Sequence, residues 1–129
     1  MAVTHTTAAR DAAGNAVVAL IGASGKLAFR LAGTVGTPGA VVATLSLSAT
    51  AFGASATGVC TANAITSDTA AVGNAAAVAT ASLQTSAGVL VIHCAVAASA
   101  SDINMTNGLV VAAGDTVSCS SLTYTALPS

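Results

Sequence analysis

The apolar positions of this chain change period once. Ala9, Ala13, Ala16, Val17 and Leu20 recur at about 3.6 residues, with Arg10, Asp11 and Asn15 elsewhere on the wheel. That spacing predicts one helix within residues 6–21, its body over 8–21, capped by Thr6 or Thr7 and stopped by Gly22. Gly14 weakens it, and a helix so short and alanine-rich needs a surface to dock on. From Lys26 onward the period is two. Over 26–31, Leu27, Phe29 and Leu31 share one face, and Lys26, Ala28 and Arg30 take the other. Over 41–47, Val41, Ala43, Leu45 and Leu47 alternate with Val42, Thr44 and Ser46. Gly33, Gly36, Pro38 and Gly39 mark the loop between these two half-buried strands.

Residues 49–76 are too small and too uniform to specify a register. They read as an extended loop hugging the surface, with short strands such as 58–62 within it. Alternation returns over 78–84 and 89–96, joined by a turn in which Gly88 supplies the positive φ. Further apolar pairs follow at Ile103 and Met105 and over 109–111, then a turn at Ala113-Gly114-Asp115. The last strand, 116–125, slips phase: Val117 and Cys119 have one parity, Leu122 and Tyr124 the other. A slip at Ser120-Ser121 predicts either a bulge or a strand crossing between sheets. About seven or eight short strands with regular turn signals give a mainly β fold, an antiparallel β-sandwich or jelly roll with one N-terminal helix. The expected organisation is a single domain over 1–129: an arm at 1–7, the helix at 8–21 and the sandwich at 26–126.

Charge sharpens this picture. Only seven side chains are charged: Lys26, Arg10, Arg30, Asp11, Asp68, Asp102 and Asp115. They make up 5% of the chain, against about 25% in an ordinary soluble domain. A surface of Ala, Gly, Ser and Thr has little charge repulsion to keep copies apart, which suits the subunit of an assembly. Three basic residues in a chain of formal net charge −1 cannot neutralise a run of phosphates, so nucleic acid is not an expected partner. Mean hydropathy is high, at +0.85. No uninterrupted apolar run of about 18 residues accompanies it, so a membrane is not expected either. The N-terminus lacks the basic and apolar regions of a secretory signal, and synthesis in a host cytoplasm is expected. Cys60, Cys94 and Cys119 form no CxxC pair and read as free thiols, with Cys94 and Cys119 in apolar alternation.

Candidate chemistry is sparse. Gly22-Ala23-Ser24-Gly25-Lys26 lacks the first glycine and the final hydroxyl of a phosphate loop, and a helix precedes it where a strand is required. His5 and His93 have no ligand-spaced partners, glutamate is absent and no GxSxG elbow occurs. Asn104-Met105-Thr106 fits a glycosylation sequon, which carries no meaning without export. Thr4-His5-Thr6 and Thr123-Tyr124-Thr125 are two isolated Thr-x-Thr copies, too few for an ice-binding repeat. We therefore assign no catalytic, cofactor-binding or metal-binding residue and expect no enzyme.

Three stretches carry a family resemblance. They are Met1-Ala2-Val3-Thr4-His5-Thr6-Thr7-Ala8-Ala9-Arg10 with Ala16-Val17-Val18-Ala19-Leu20-Ile21, the run from Ala51-Phe52-Gly53 to Ile65-Thr66-Ser67-Asp68, and the run from Asp102-Ile103-Asn104 to Leu122-Thr123-Tyr124-Thr125. Together they resemble small Ala/Gly/Thr-rich structural proteins of tailed-bacteriophage virions, although acidic residues are fewer here and three cysteines are present. The resemblance implies a capsid decoration or cement protein, partnered by the major capsid protein and by copies of itself. The alternative is a tail, neck or spike component, including a host-surface-binding module, for which Tyr124 is the one candidate sugar-stacking aromatic. The arm residues Ala2, Val3, Thr4, His5, Thr6 and Thr7, together with 49–76, are the expected interface because neither segment has a core of its own.

Overall fold

A computed structural model describes residues 3–127. One helix, α1 (Thr7–Ala19), precedes eight strands: β1 (Lys26–Arg30), β2 (Val41–Leu47), β3 (Cys60–Thr61), β4 (Ile65–Thr66), β5 (Thr80–Gln84), β6 (Leu90–Ala97), β7 (Ile103–Asn104) and β8 (Thr123–Tyr124). Six form a curled sheet in the order β4-β2-β1-β5-β6-β7, and β3 pairs with β8 in a second, two-stranded sheet. The fold is mainly β and sandwich-like. Its layers are unequal, because the second one is mostly irregular chain.

The alternation read from β1 and β2 is realised in the ladder. Leu27 stands between Leu45 and Leu83, and Phe29 between Ala43 and Ala81. This face forms the core with Ile21, Ala51, Phe52, Cys60, Val78, Val111 and Val117 from the cover. Burying each large side chain contributes on the order of 1.5–3 kcal/mol. The opposite face, expected to be half-exposed, is also covered at the sheet's centre. Arg30 lies across it, donating from Nε to Ser82 Oγ at 2.9 Å and from its terminal nitrogens to Gly39 O and Gln84 Oε1. Ala28 and Ser82 are consequently fully buried, and β5 is buried along its whole length.

The segment 49–76 is woven into the molecule rather than laid over it. Ala51, Phe52, Cys60 and Ala71 are core residues. Beyond β4 the chain continues beside β2, where Asp68 Oδ2 accepts from Thr44 N–H and Gly73 N–H donates to Val42 O. The final third runs back across the open side. Val78 donates to Leu109 O, Asn74 to Val111 O, Ala71 to Asp115 O, and Asp68 bridges Val117. It thereby ties the β5 side of the sheet to the β2 side. Residues 109–111 form no strand, and the expected strand 116–125 shrinks to Thr123–Tyr124. Its phase slip is a change of partner: Val117 pairs with Asp68, whereas Tyr124 pairs with Cys60 in the second sheet. One pairing departs from the antiparallel expectation, since β7 lies parallel to β6.

Candidate interaction surface

The expected arm divides at its cap. Val3, Thr4 and His5 are exposed, with Val3 at 74%. Thr6 caps α1 in an extended conformation, its side chain accepting from Ala9 N–H at 3.2 Å, and Thr7 is the first helical residue. Ala2 lies outside the described residues.

The helix docks by a different face from the one its apolar period marks. Ala9 and Ala16 are exposed, and Leu20 is 65% exposed. The buried contact is Gly14, where an added Cβ would stand 3.1 Å from Cys60 Sγ. Val18 packs against the core as well, and the other contacts are polar. Asp11 Oδ1 accepts from Ser55 Oγ and Gly58 N–H, both at 2.8 Å, and Asn15 Oδ1 accepts from Ser55 N–H. Arg10 lies against Gly58 and donates to Leu127 O at 3.1 Å. Their target is a tight hairpin in which Ala56 and Val59 exchange backbone hydrogen bonds. Its two central residues both have positive φ, Thr57 at 51° and Gly58 at 85°, as a type I′ turn requires. The periodicity could not reveal this face, because its anchors are a glycine and hydrogen-bonding side chains. Gly14, read as a weakness, is the point of closest approach.

The same economy governs every charged group. All four carboxylates accept backbone N–H groups: Asp11 from Gly58, Asp68 from Thr44 and Ala70, Asp102 from Ala95, and Asp115 from Ala112. Among the described residues the three cations donate to neutral oxygens, Lys26 to Ser46 Oγ, Arg10 to Leu127 O, and Arg30 to the set around Ser82. The hydrogen bond from Gly58, then that from Ser55, holds the Asp11 carboxyl below the usual aspartate value. Slight desolvation opposes them and Arg10 assists. Among the described residues no three of His, Cys and Asp converge as metal ligands.

The thiols are free and passive. Cys60 is the fully buried one, whereas Cys94 and Cys119 are half-buried. Burial pushes the Cys94 thiol up to about 11, Asp102 adds to the rise, and its contact with Ala81 O opposes it. Burial likewise raises Cys119, against its bond to Ser121 O. Neither supplies much thiolate near neutral pH. His93 stands opposite Ser82 on the polar face, its Nδ1 buried without a partner among the described residues.

Hollows mark the surface. One of about 310 Å³ lies between α1 and residues 49–54, lined by Val18 and Phe52 among others. The larger, about 700 Å³, opens within the final third over Phe29, and its walls mix apolar side chains such as Ile103, Val111 and Leu122 with asparagines, serines and threonines. In the larger one Asp102 and Asp115 line the same walls as Cys119 and several hydroxyls, and each carboxylate accepts from a backbone N–H, Asp102 from Ala95 and Asp115 from Ala112. What the surface offers a partner is exposed apolar and hydroxyl-bearing side chains: the arm, the outer helix face, and Val35, Val72, Val89 and Val110. No helix among the described residues is long and apolar enough to cross a membrane. No known protein family, no curated protein and no solved structure matches this sequence.

Proposed function

We propose that the chain is a non-enzymatic structural subunit of a tailed-bacteriophage virion, a capsid decoration or cement protein seated over junctions of the major capsid protein. The observation that carries this reading is the commitment of all seven charges to the chain's own scaffold. The remaining surface is small, uncharged and partly apolar, and it contacts copies of itself or a capsid lattice without burying unpaired charge. The function is mechanical. Each copy adds a modest contact, and symmetric repetition over many copies turns modest contacts into resistance against the pressure of packaged DNA. The projecting residues Val3, Thr4 and His5 are the part of the arm free to reach a neighbour.

Quantitative mass spectrometry of purified virions tests the reading. Hundreds of copies that leave with the head shell are expected. A few copies that travel with tails would place the chain in a neck, tail or spike instead, and absence from virions would overturn the structural role. Deleting residues 2–5, which spares the Thr6 cap, should leave the fold intact and lower occupancy on the particle. Unchanged occupancy would remove the arm from the interface.

A further inference from the structure

The chain has five asparagines, and the fold treats one of them differently. Asn15 Oδ1 accepts from Ser55 N–H at 2.8 Å, and Asn63 Nδ2 donates to Thr50 O at 2.7 Å. Asn74 Oδ1 accepts from Ala76 N–H at 2.9 Å, and Asn104 Oδ1 accepts from Ser101 N–H at 3.0 Å. Each of these amides is held in one orientation by its bond. Asn107 makes no side-chain hydrogen bond among the described residues and is exposed in the turn that follows β7.

The next residue separates them again. Ala16, Ala64, Ala75 and Met105 follow the four held asparagines, and Gly108 follows Asn107. Gly108 is exposed, and an added Cβ there would meet nothing within 4 Å. Its φ of 108° lies where glycine is at ease and other residues are not. Its N–H donates no hydrogen bond among the described residues. A nucleophile without a shielding side chain therefore adjoins an unbonded carboxamide, and both are open to water. Placing the two in neighbouring residues makes their reaction unimolecular.

We propose that Asn107–Gly108 is a self-modification site, where the chain turns a neutral amide into a carboxylate without an enzyme. The Gly108 nitrogen gives its proton to solvent base and attacks Asn107 Cγ. The new C–N bond closes a succinimide ring. The Cγ–Nδ2 bond breaks, and Nδ2 leaves as ammonia with a proton returned by water. Water then opens the ring. Addition at Cγ gives aspartate, whereas addition at the main-chain carbonyl gives isoaspartate, with the side-chain methylene inserted into the backbone. Water is the only co-reactant, and nothing is oxidised or reduced.

The surroundings decide what the change does. Asn107 lines the larger hollow together with Asp102 and Asp115, which are the only charged residues in its walls. A third carboxylate thus enters a wall without a cation, in a chain whose formal net charge is only −1. Isoaspartate also lengthens the main chain just before Leu109, whose carbonyl accepts the Val78 N–H at 2.8 Å. That tie loosens. The inference rests on this turn alone and goes beyond the virion reading.

The test incubates the full chain in mildly alkaline buffer, digests it and separates aspartate from isoaspartate peptides before mass spectrometry. Both products should accumulate at Asn107 at least about tenfold faster than at any other asparagine, a barrier gap of about 1.4 kcal/mol. The folded rate should lie within about tenfold of the rate in urea, because the fold leaves this amide unprotected. Asn107→Gln keeps a neutral amide but must close a larger ring, so it should keep the wild-type melting temperature and end ammonia release from the turn. An Asn107 amide that survives as long as that of Asn63 overturns the proposal. A folded rate more than about tenfold below the urea rate also overturns it, since the turn would then shield the amide. In the purified isoaspartate form the Val78 amide should exchange faster with solvent, and unchanged exchange there overturns the loosening of that tie.

Discussion

Strands β1, β2, β5 and β6 pair in long ladders that bring Leu27, Leu45 and Leu83 side by side. The cover, residues 48–79 and 98–127, has only two-residue strands, isolated bridges and side-chain pins. Large alternating side chains make a one-residue slip in the sheet costly, since every leucine would turn to the wrong face. A slip of Ala, Ser, Thr and Gly costs little. There the position is set by carboxylates on particular amides: Asp68 on Thr44 and Ala70, Asp115 on Ala112, Asp11 on Gly58. Where hydrophobic bulk cannot specify the fold, charge-assisted hydrogen bonds do so.

Phe29→Ala should have the largest effect. Phe29 is 2% exposed at the centre of the sheet and floors the larger hollow. Its truncation should cost about 3–5 kcal/mol, read as a lower urea midpoint. Loss of sheet and cover together would show that the two layers share one core, and sequential loss would break that link. Asp68→Ala leaves the Thr44 and Ala70 amides without their acceptor and should cost about 1–3 kcal/mol. Amide exchange should rise over 68–74 and 111–117 while β1 and β5 stay protected. Equal loosening of β1 would show that the pins hold the sheet as well.

Gly14→Val drives a branched side chain toward Cys60 Sγ and should cost about 1–2 kcal/mol. Its signature is faster exchange in residues 54–61. Thr57→Asn should stabilise by up to about 1 kcal/mol, because asparagine accepts the left-handed conformation more readily than a β-branched residue. A lower melting temperature would show that the Thr57 side chain contributes contacts that outweigh its backbone strain.

The smallest effect is pH-dependent. The folded pKa of Asp11 is depressed, so its contribution is complete above the ordinary aspartate value of about 3.9. It is lost as pH falls through the lower folded value. Acid should loosen the contact between α1 and the 54–61 hairpin, and Asp11→Asn should remove that pH response. A titration of hairpin exchange that is identical in both proteins would detach Asp11 from the contact.

Legibility followed side-chain size. The 41–47 strand has the range its pattern marks and buries Ala43, Leu45 and Leu47, although Val42 of the other face is fully buried and Val41 only half-buried; the 85–88 turn appears with Gly88 at a φ of 89°. The helix was visible in its alanine period, but its docking face was not. The inward β3–β8 pairing was hidden too, since Cys60-Thr61 has no period to read. The candidate surface was legible only as an exposed arm and a shortage of charge. Most of the charge commitments are long-range facts, with Asp11 and Gly58 separated by 47 positions, whereas Asp115 and Ala112 are local neighbours.

From the sequence alone come the mainly β class, the helix before the strands, the register-bearing alternation of β1, β2, β5 and β6, and a surface poor in charge. These are local properties, carried by periods of a few residues and by composition. Tertiary structure alone decided that the small-residue segments enter the core and that α1 docks through Gly14 and polar atoms. Those outcomes depend on which distant backbone groups find partners once the large side chains have collapsed, and alanine, serine and glycine leave no periodic mark of where that will be.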